Sequence, residues 1–96
     1  MSQPAAKSTR WTLAPGVSAV SDRDGVVLFA ARSSSYWRGN LTAQVFCEEA
    51  VTGASVQQVT RVLAAEFGVE ETQIAEDLEA LVVNLSKASL IVEGTG

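Results

Sequence analysis

Histidine is absent from this 96-residue sequence, and cysteine occurs once, at Cys47. A single cysteine excludes an internal disulfide and a cysteine-based zinc site. A nucleophilic cysteine or serine needs a neighbouring base, most often an imidazole, which this chain cannot supply. Cys47 falls beside Phe46 and Ala50 on the apolar side of a predicted helix, which indicates a small buried hydrophobic residue. We therefore predict no catalytic residue, no metal site and no cofactor, and hence a protein that is not an enzyme.

Long apolar runs are also missing. No stretch approaches the roughly 18 residues that a membrane-spanning helix needs. Residues 1–10 (MSQPAAKSTR) contain no apolar segment of the kind found in a secretory signal. We expect a flexible tail over residues 1–10, a single domain over residues 11–93 and a cytoplasmic location. A chain of this length can form one modest core and no deep, enclosed active site.

Basic charge is scarce, because seven Lys and Arg residues face eleven Asp and Glu residues, for a net charge of −4. The acidic residues concentrate in the last third, whereas most cations precede residue 62. Adjacent carboxylates, as in Glu48-Glu49 and Glu76-Asp77, point about 100° apart on a helix. They are not paired for acid–base catalysis, so we interpret them as solvated surface.

The most informative segment is residues 25–37 (GVVLFAARSSSYW), which follows a tight-turn sequence at residues 22–25 (DRDG). Apolar and β-branched residues, a short polar bend and an aromatic pair predict a strand, a turn and another strand. With an earlier strand at 17–21, the strands at 25–31 and 34–37 predict a three-stranded antiparallel meander. Because Tyr36 and Trp37 alternate faces, we expect one in the core and the other more exposed.

A helix start follows the third predicted strand at once, with Asn40 or Thr42 as its N-cap. The third strand is therefore the last of its sheet. Such a strand can have one unpaired edge, and an unpaired edge can accept a peptide.

Three helices are predicted by apolar residues at helical spacing, over 41–52, 56–67 and 71–87. Gly53 and Gly68 mark the ends of the first two, and Ser55 with Gln58 forms a capping box. Residues 90–92 (LIV) either form a short strand or only pack on the core. The order of strands and helices predicts an α+β winged helix-turn-helix. The expected buried residues of the three helices are Ala43, Phe46, Cys47 and Ala50; Val56, Val59, Leu63 and Phe67; and Ile74, Leu78, Leu81, Val82 and Leu85.

A winged helix-turn-helix suggests DNA binding, but the charges disagree. The second predicted helix carries Arg61 as its one cation, and the third is acidic. Such helices would repel the phosphate backbone. Peptide binding at the strand edge is therefore favoured over DNA binding.

Four motifs in order carry a family resemblance: residues 24–28 (DGVVL), 35–37 (SYW), 40–43 (NLTA) and 77–81 (DLEAL). Together they resemble the PqqD-like proteins, the recognition elements for precursors of ribosomally synthesised and modified peptides (RiPPs). The chain looks most like the stand-alone leader-binding proteins of lasso peptide biosynthesis, over about residues 13–92. One departure is Arg38-Gly39, where relatives more often have an apolar residue before the Asn, and this predicts a looser strand-to-helix junction.

The resemblance implies a winged helix-turn-helix of three strands followed by three helices, and a non-catalytic role. The leader of a precursor peptide would add as a fourth strand to the third strand and lie in a groove beside the third helix. A separate leader peptidase of the cysteine-protease type would then remove it, before a cyclase closes the ring. The implied contacts are Ser34, Ser35, Tyr36, Trp37 and Arg38 on the strand, and Asp77, Ala80, Leu81 and Asn84 on the helix.

Two alternatives remain at this point. The chain could be a recognition element for another RiPP-modifying enzyme, such as a radical-SAM maturase. From a different class, it could be a winged helix-turn-helix DNA-binding regulator. We expect the leader peptide as the partner, with no nucleic acid and no membrane.

Overall fold

A computed structural model describes residues 9–94 of the chain. The predicted α+β fold, a three-stranded antiparallel sheet followed by three helices, is confirmed. Among these residues no helix is long and apolar enough to cross a membrane. The elements are β1 (Trp11–Leu13), β2 (Val17–Asp22), β3 (Gly25–Ala30), β4 (Ser35–Gly39), α1 (Leu41–Ala50), α2 (Val56–Phe67), α3 (Glu71–Lys87) and β5 (Ile91–Glu93).

The main sheet has the order β2-β3-β4, with each neighbouring pair antiparallel. The turn between β2 and β3 is stabilised by Asp22, whose Oδ1 accepts the Asp24 N–H at 2.7 Å. Gly25 follows with φ +150°, and a Cβ there would collide with the Gly39 carbonyl of β4. Only glycine therefore lets the first residue of β3 lie this close to the end of β4.

The core lies between the inner face of this sheet and the three helices. The sheet contributes Val26 and Leu28, and α1 buries all four residues expected of it. The expectation is wrong for Phe67, which is 52% exposed. Phe67 is the last residue of α2, and the left-handed Gly68 turns the chain away there, so its ring extends past the core.

The helix boundaries follow local capping chemistry. Asn40, and not Thr42, is the N-cap of α1, because its Oδ1 accepts the Ala43 N–H at 3.0 Å. Ser55 caps α2 in the same way, with its Oγ accepting the Gln58 N–H at 3.1 Å. Gly68 ends α2 with φ +66°, a conformation that glycine adopts without the steric cost of a Cβ.

A second, smaller sheet joins the two ends of the fold. β1 pairs antiparallel with β5, so residues 90–92 include a strand and are not only packing. Trp11 also exchanges backbone hydrogen bonds with Ala54, and the Gly94 N–H donates to the Arg10 carbonyl at 2.7 Å. Of the predicted tail, residues 1–8 lie outside the described residues. β1 was not predicted, because three residues give too little periodicity to identify a strand.

Candidate functional site

The outer edge of β4 is the first part of the candidate site. β4 is the terminal strand of its sheet, and within residues 9–94 no strand pairs with its outer side. The strand begins at Ser35, one residue later than predicted, and continues to Gly39. Ser34 belongs to the preceding loop, with φ +53°, a left-handed conformation that is incompatible with an extended ladder.

The edge to which the N–H and C=O groups of each β4 residue point follows from the pairing between β2 and β3. The Ala31 N–H donates to the Gly16 carbonyl at 2.9 Å, so the main chain of Ala31 faces β2. Because successive residues in an antiparallel strand point to opposite edges, residues 30, 28 and 26 face β4. Their register partners are Ser35, Trp37 and Gly39, which therefore use their N–H and C=O groups within the sheet.

Tyr36 and Arg38 remain, and their N–H and C=O groups point to the open edge. The turn at residues 22–25 agrees with this assignment. A two-residue turn is closed by a hydrogen-bonded pair, here Asp22 and Gly25, which again places the odd-numbered residues of β3 toward β2.

Trp37 is directed toward the inner face of the sheet and packs against the core. Its ring lies across Gly39, where an added Cβ would be 2.5 Å from the Trp37 ring and 2.5 Å from the Ala43 Cβ. Gly39 therefore provides the space for the indole. The junction at Arg38-Gly39 is short, because β4 passes through the single residue Asn40 into α1.

Tyr36 is on the opposite face and is 74% exposed. Its ring contacts Phe29, its register partner on β3, with ring centroids 4.9 Å apart and planes tilted by 45°. The predicted alternation of the aromatic pair is thus confirmed, with Trp37 inside and Tyr36 outside. Phe29 was not among the site residues predicted from the sequence. The register between β3 and β4, which pairs Phe29 with Tyr36, would have identified it.

The helical part of the candidate site lies on α3. Asp77, Leu81 and Asn84 are spaced i, i+4, i+7 and share one side of the helix, next to Ala80. Leu81 is half-buried against the core, whereas the other three are exposed.

α2 packs along the opposite side of α3, where Glu71, Ala75 and Glu79 line a cleft with it. The side that carries Leu81 is therefore turned away from α2. β4 packs on β3 and α1, and α3 packs on α1, α2 and β5. The predicted site residues on the strand thus lie next to one another, and so do those on α3. The strand group and the helix group do not pack on each other.

A cleft between α2 and α3 is one of the concavities of the described residues, with a volume of about 400 Å³. Arg61 shares it with Glu71, Glu76 and Glu79. Within residues 9–94, no group of three or more His, Cys, Asp or Glu side chains is arranged to hold a metal ion. Thr60 also lines the cleft, but its hydroxyl is buried and has no hydrogen-bond partner.

Cys47 is fully buried in the core, as expected. Burial, and to a smaller extent the neighbouring Glu48 carboxylate, raises the pKa of its thiol to about 12. Because the thiolate is the nucleophilic form, Cys47 is both shielded and in the wrong protonation state for covalent catalysis at neutral pH.

Comparison with known proteins gives a family and a fold. The family model for coenzyme PQQ synthesis protein D (PqqD) matches residues 25–91. A solved structure described as lasso peptide synthetase B1 complexed with the leader peptide is 32% identical in sequence, with a TM-score of 0.74. The alignment covers 85% of this chain and 96% of that one. No curated protein sequence matches the chain.

A second solved structure, described as TbiB1 in complex with the TbiA(beta) leader peptide, has a TM-score of 0.77. It is 16% identical and covers 88% of this chain and 99% of its own, so it supports the fold alone. The family match spans β3, β4 and all three helices, which are the elements that form the candidate site. The chain therefore belongs to the PqqD family, and it is a PqqD-like recognition element.

Proposed function

We propose that this protein captures the leader segment of a ribosomally synthesised precursor peptide by adding it as a strand to β4. The observation that carries the proposal is the open edge of β4, where Tyr36 and Arg38 direct their backbone groups outward. An extended peptide gains main-chain hydrogen bonds at such an edge, and its alternate side chains reach neighbouring surfaces. The similarity to a lasso peptide synthetase B1 complexed with a leader peptide supports the same assignment.

The second wall of the leader site is the side of α3 that carries Asp77, Ala80, Leu81 and Asn84. This side faces away from α2, and α3 does not pack closely on β4, which supports our proposal that the added strand lies beside both elements. On β4, Ser35 and Trp37 would shape the groove with their side chains, while Tyr36 and Arg38 supply the ladder. Ser34, in the loop, would contribute no strand hydrogen bond.

The protein itself would perform no chemistry in this process. Its single thiol is buried with a raised pKa, and the sequence has no histidine. We propose that it presents the leader to a separate leader peptidase of the cysteine-protease type in lasso peptide maturation, ahead of the cyclase. Purified protein should hydrolyse no leader peptide, and Cys47→Ser should leave leader binding within a few-fold.

Fluorescence polarisation tests the binding step. The probe is a fluorescein-labelled synthetic peptide with the leader sequence of the precursor encoded beside this gene. A scrambled peptide of the same composition is the control. We expect saturable binding of the leader with a Kd in the micromolar range or below, and at least tenfold weaker binding of the scrambled peptide. Equal binding of both peptides would reject the proposal.

DNA binding is the competing function from a different class, since the fold is a winged helix-turn-helix. The acidic residues of α3, with Glu71 in its first turn, oppose it. A titration with labelled duplex DNA at low salt decides between the two. Binding at micromolar concentration or below that weakens steeply with added salt would favour the regulator.

A maturase as the downstream enzyme, for example of the radical-SAM type, is the alternative within the same binding function. Co-purification of the tagged protein with each candidate enzyme, in the presence of the leader peptide, separates these partners. We expect the leader peptidase to be retained and a maturase to be absent.

A further inference from the structure

The solvent face of the sheet carries two rows of side chains that end at the open edge of β4. In one row Ser18, Phe29 and Tyr36 lie side by side, because they are register partners across β2, β3 and β4. In the next row Val20, Val27 and Arg38 are aligned in the same way. Tyr36 and Arg38 therefore stand at the ends of two cross-strand rows.

The same two residues are the ones whose backbone groups point outward. A residue of an added strand that hydrogen-bonds to Tyr36 would place its side chain on the same face as Tyr36. Its Cβ would be about 5 Å from the Tyr36 Cβ, the distance at which cross-strand pairs interact. A second residue, two positions away in the added strand, would face Arg38 in the same manner.

The chemistry of each pairing follows from the side chains present. Tyr36 is exposed and already contacts Phe29, so it can extend an aromatic row by one further aromatic or β-branched side chain. The Arg38 guanidinium is exposed, and no carboxylate among residues 9–94 pairs with it. An aspartate or glutamate opposite Arg38 would supply the missing partner.

We propose that this protein selects its peptide not only on the groove side but also on the solvent-facing side of the sheet, through Tyr36 and Arg38. The preferred peptide has an aromatic or β-branched residue opposite Tyr36 and an acidic residue opposite Arg38, with one residue between them. This inference rests on the proposed strand addition to β4. It assigns the selectivity to two positions that face away from the groove and from α3.

A selection from an mRNA-displayed library of random twelve-residue peptides tests the pairing. The baits are the wild-type protein, Arg38→Glu and Arg61→Glu. The last variant makes the same charge change on α2, beside the α2–α3 cleft. Both arginines are exposed, so neither change should alter the melting temperature by more than about 2 °C.

The wild-type and Arg61→Glu selections should enrich an acidic residue two positions from an aromatic or β-branched residue. The Arg38→Glu selection should replace that acidic residue with lysine or arginine and leave the other position unchanged. Single peptides that differ by this one charge should change affinity by up to about fivefold, with opposite sign for wild type and Arg38→Glu. An acidic residue that precedes the aromatic one indicates antiparallel addition, and the reverse order indicates parallel addition.

Strand addition to β4 and the selectivity at Tyr36 and Arg38 can be rejected separately. Enrichment of peptides whose composition is the same for wild type and Arg38→Glu would overturn the outward-facing selectivity and leave strand addition intact. Enrichment of no peptide by folded wild-type protein, together with no binding of the labelled leader, would overturn both.

Discussion

The two edges of the main sheet differ, because the β2 edge is covered and the β4 edge is open. At the β2 edge, the Val17 N–H donates to the Ala14 carbonyl at 3.0 Å. Farther along that edge, the Ser21 hydroxyl donates to Glu48 Oε2 at 2.7 Å, which ties β2 to α1. At the β4 edge, none of the described residues forms a corresponding contact with the outward groups of Tyr36 or Arg38.

The fold leaves one strand edge open, at β4. An exposed edge is prone to unwanted pairing with another chain, and proteins usually cover or disrupt it. Here the first strand of the sheet is tied down by its own bend and by a helix. The last strand is held from inside by the packing of Trp37 on the core and across Gly39, while its outer side stays open. An exposed sheet edge is the arrangement that strand addition requires.

The largest expected effect comes from proline substitutions in β4, at one residue whose N–H points inward and at one whose N–H points outward. Trp37→Pro removes an inward N–H and the packed indole, and it should destabilise the domain by about 3 kcal/mol or more. Arg38→Pro removes an outward N–H, so the fold should remain and leader binding should weaken by about 1–2 kcal/mol. Circular-dichroism melting and fluorescence polarisation measure the two effects. Equal loss of stability in both variants would contradict the assigned backbone directions.

A substitution at Gly39 tests how β4 is held from inside. Gly39→Ala should destabilise the protein by about 1–3 kcal/mol, because the new methyl group overlaps the Trp37 ring and Ala43. Gly68→Ala is the control, since nothing lies within 4 Å of its Cβ and only its left-handed backbone costs about 1 kcal/mol.

The cause of the Gly39 effect can be isolated with a double variant. If overlap with the indole is responsible, Gly39→Ala should be much less harmful in a Trp37→Val background. Additive losses in chemical denaturation would exclude that contact as the reason.

The aromatic pair should divide its effects between stability and affinity. Trp37→Ala should lower the free energy of unfolding by about 2–3 kcal/mol, since the half-buried indole packs on the core. Tyr36→Ala should leave the melting temperature within a few degrees and weaken leader binding by about 1 kcal/mol. A Tyr36→Ala protein that binds the leader as wild type does would remove Tyr36 from the peptide contact.

The smallest expected effect concerns the hydrogen bond between Ser21 and Glu48 at the β2 edge. The Ser21 hydroxyl and then the Gln44 amide hold the pKa of the Glu48 carboxyl below its ordinary value of 4.5. The contribution of Glu48 to stability is therefore complete above that value and is lost as the pH falls through the lowered pKa. Denaturation between pH 3 and pH 6 should show a slightly weaker acid dependence in Ser21→Ala. An unchanged pH profile would show that this exposed contact does not stabilise the edge.

The elements that are decided by local rules could be predicted from the sequence. Helical spacing with caps at Asn40, Ser55 and Gly68 predicted the helices, and the turn at residues 22–25 predicted the meander. The start of α3 at Glu71 and its end at Lys87 match the prediction. The alternation of Tyr36 and Trp37 follows from the two-residue period of a strand.

Features set by distant contacts could not be predicted. Strand β1 exists through its pairing with β5 and Ala54, about 80 and 40 residues farther along the chain. The direction of each β4 backbone group depends on the register with β3, and one residue of slip would reverse it. Ser34 was assigned to the strand because no local signal marks its left-handed conformation. The exposure of Phe67 depends on where α2 ends relative to the core.

The pairing of β1 with β5 also brings the two ends of the described fold together. Because the Gly94 N–H reaches the Arg10 carbonyl, the chain enters and leaves the fold at one place. A domain with adjacent ends can be inserted into a loop of a host protein, or closed on itself by a short linker, without separating its strands. The domain is therefore suited to occur either as a separate chain or as a segment of a larger protein.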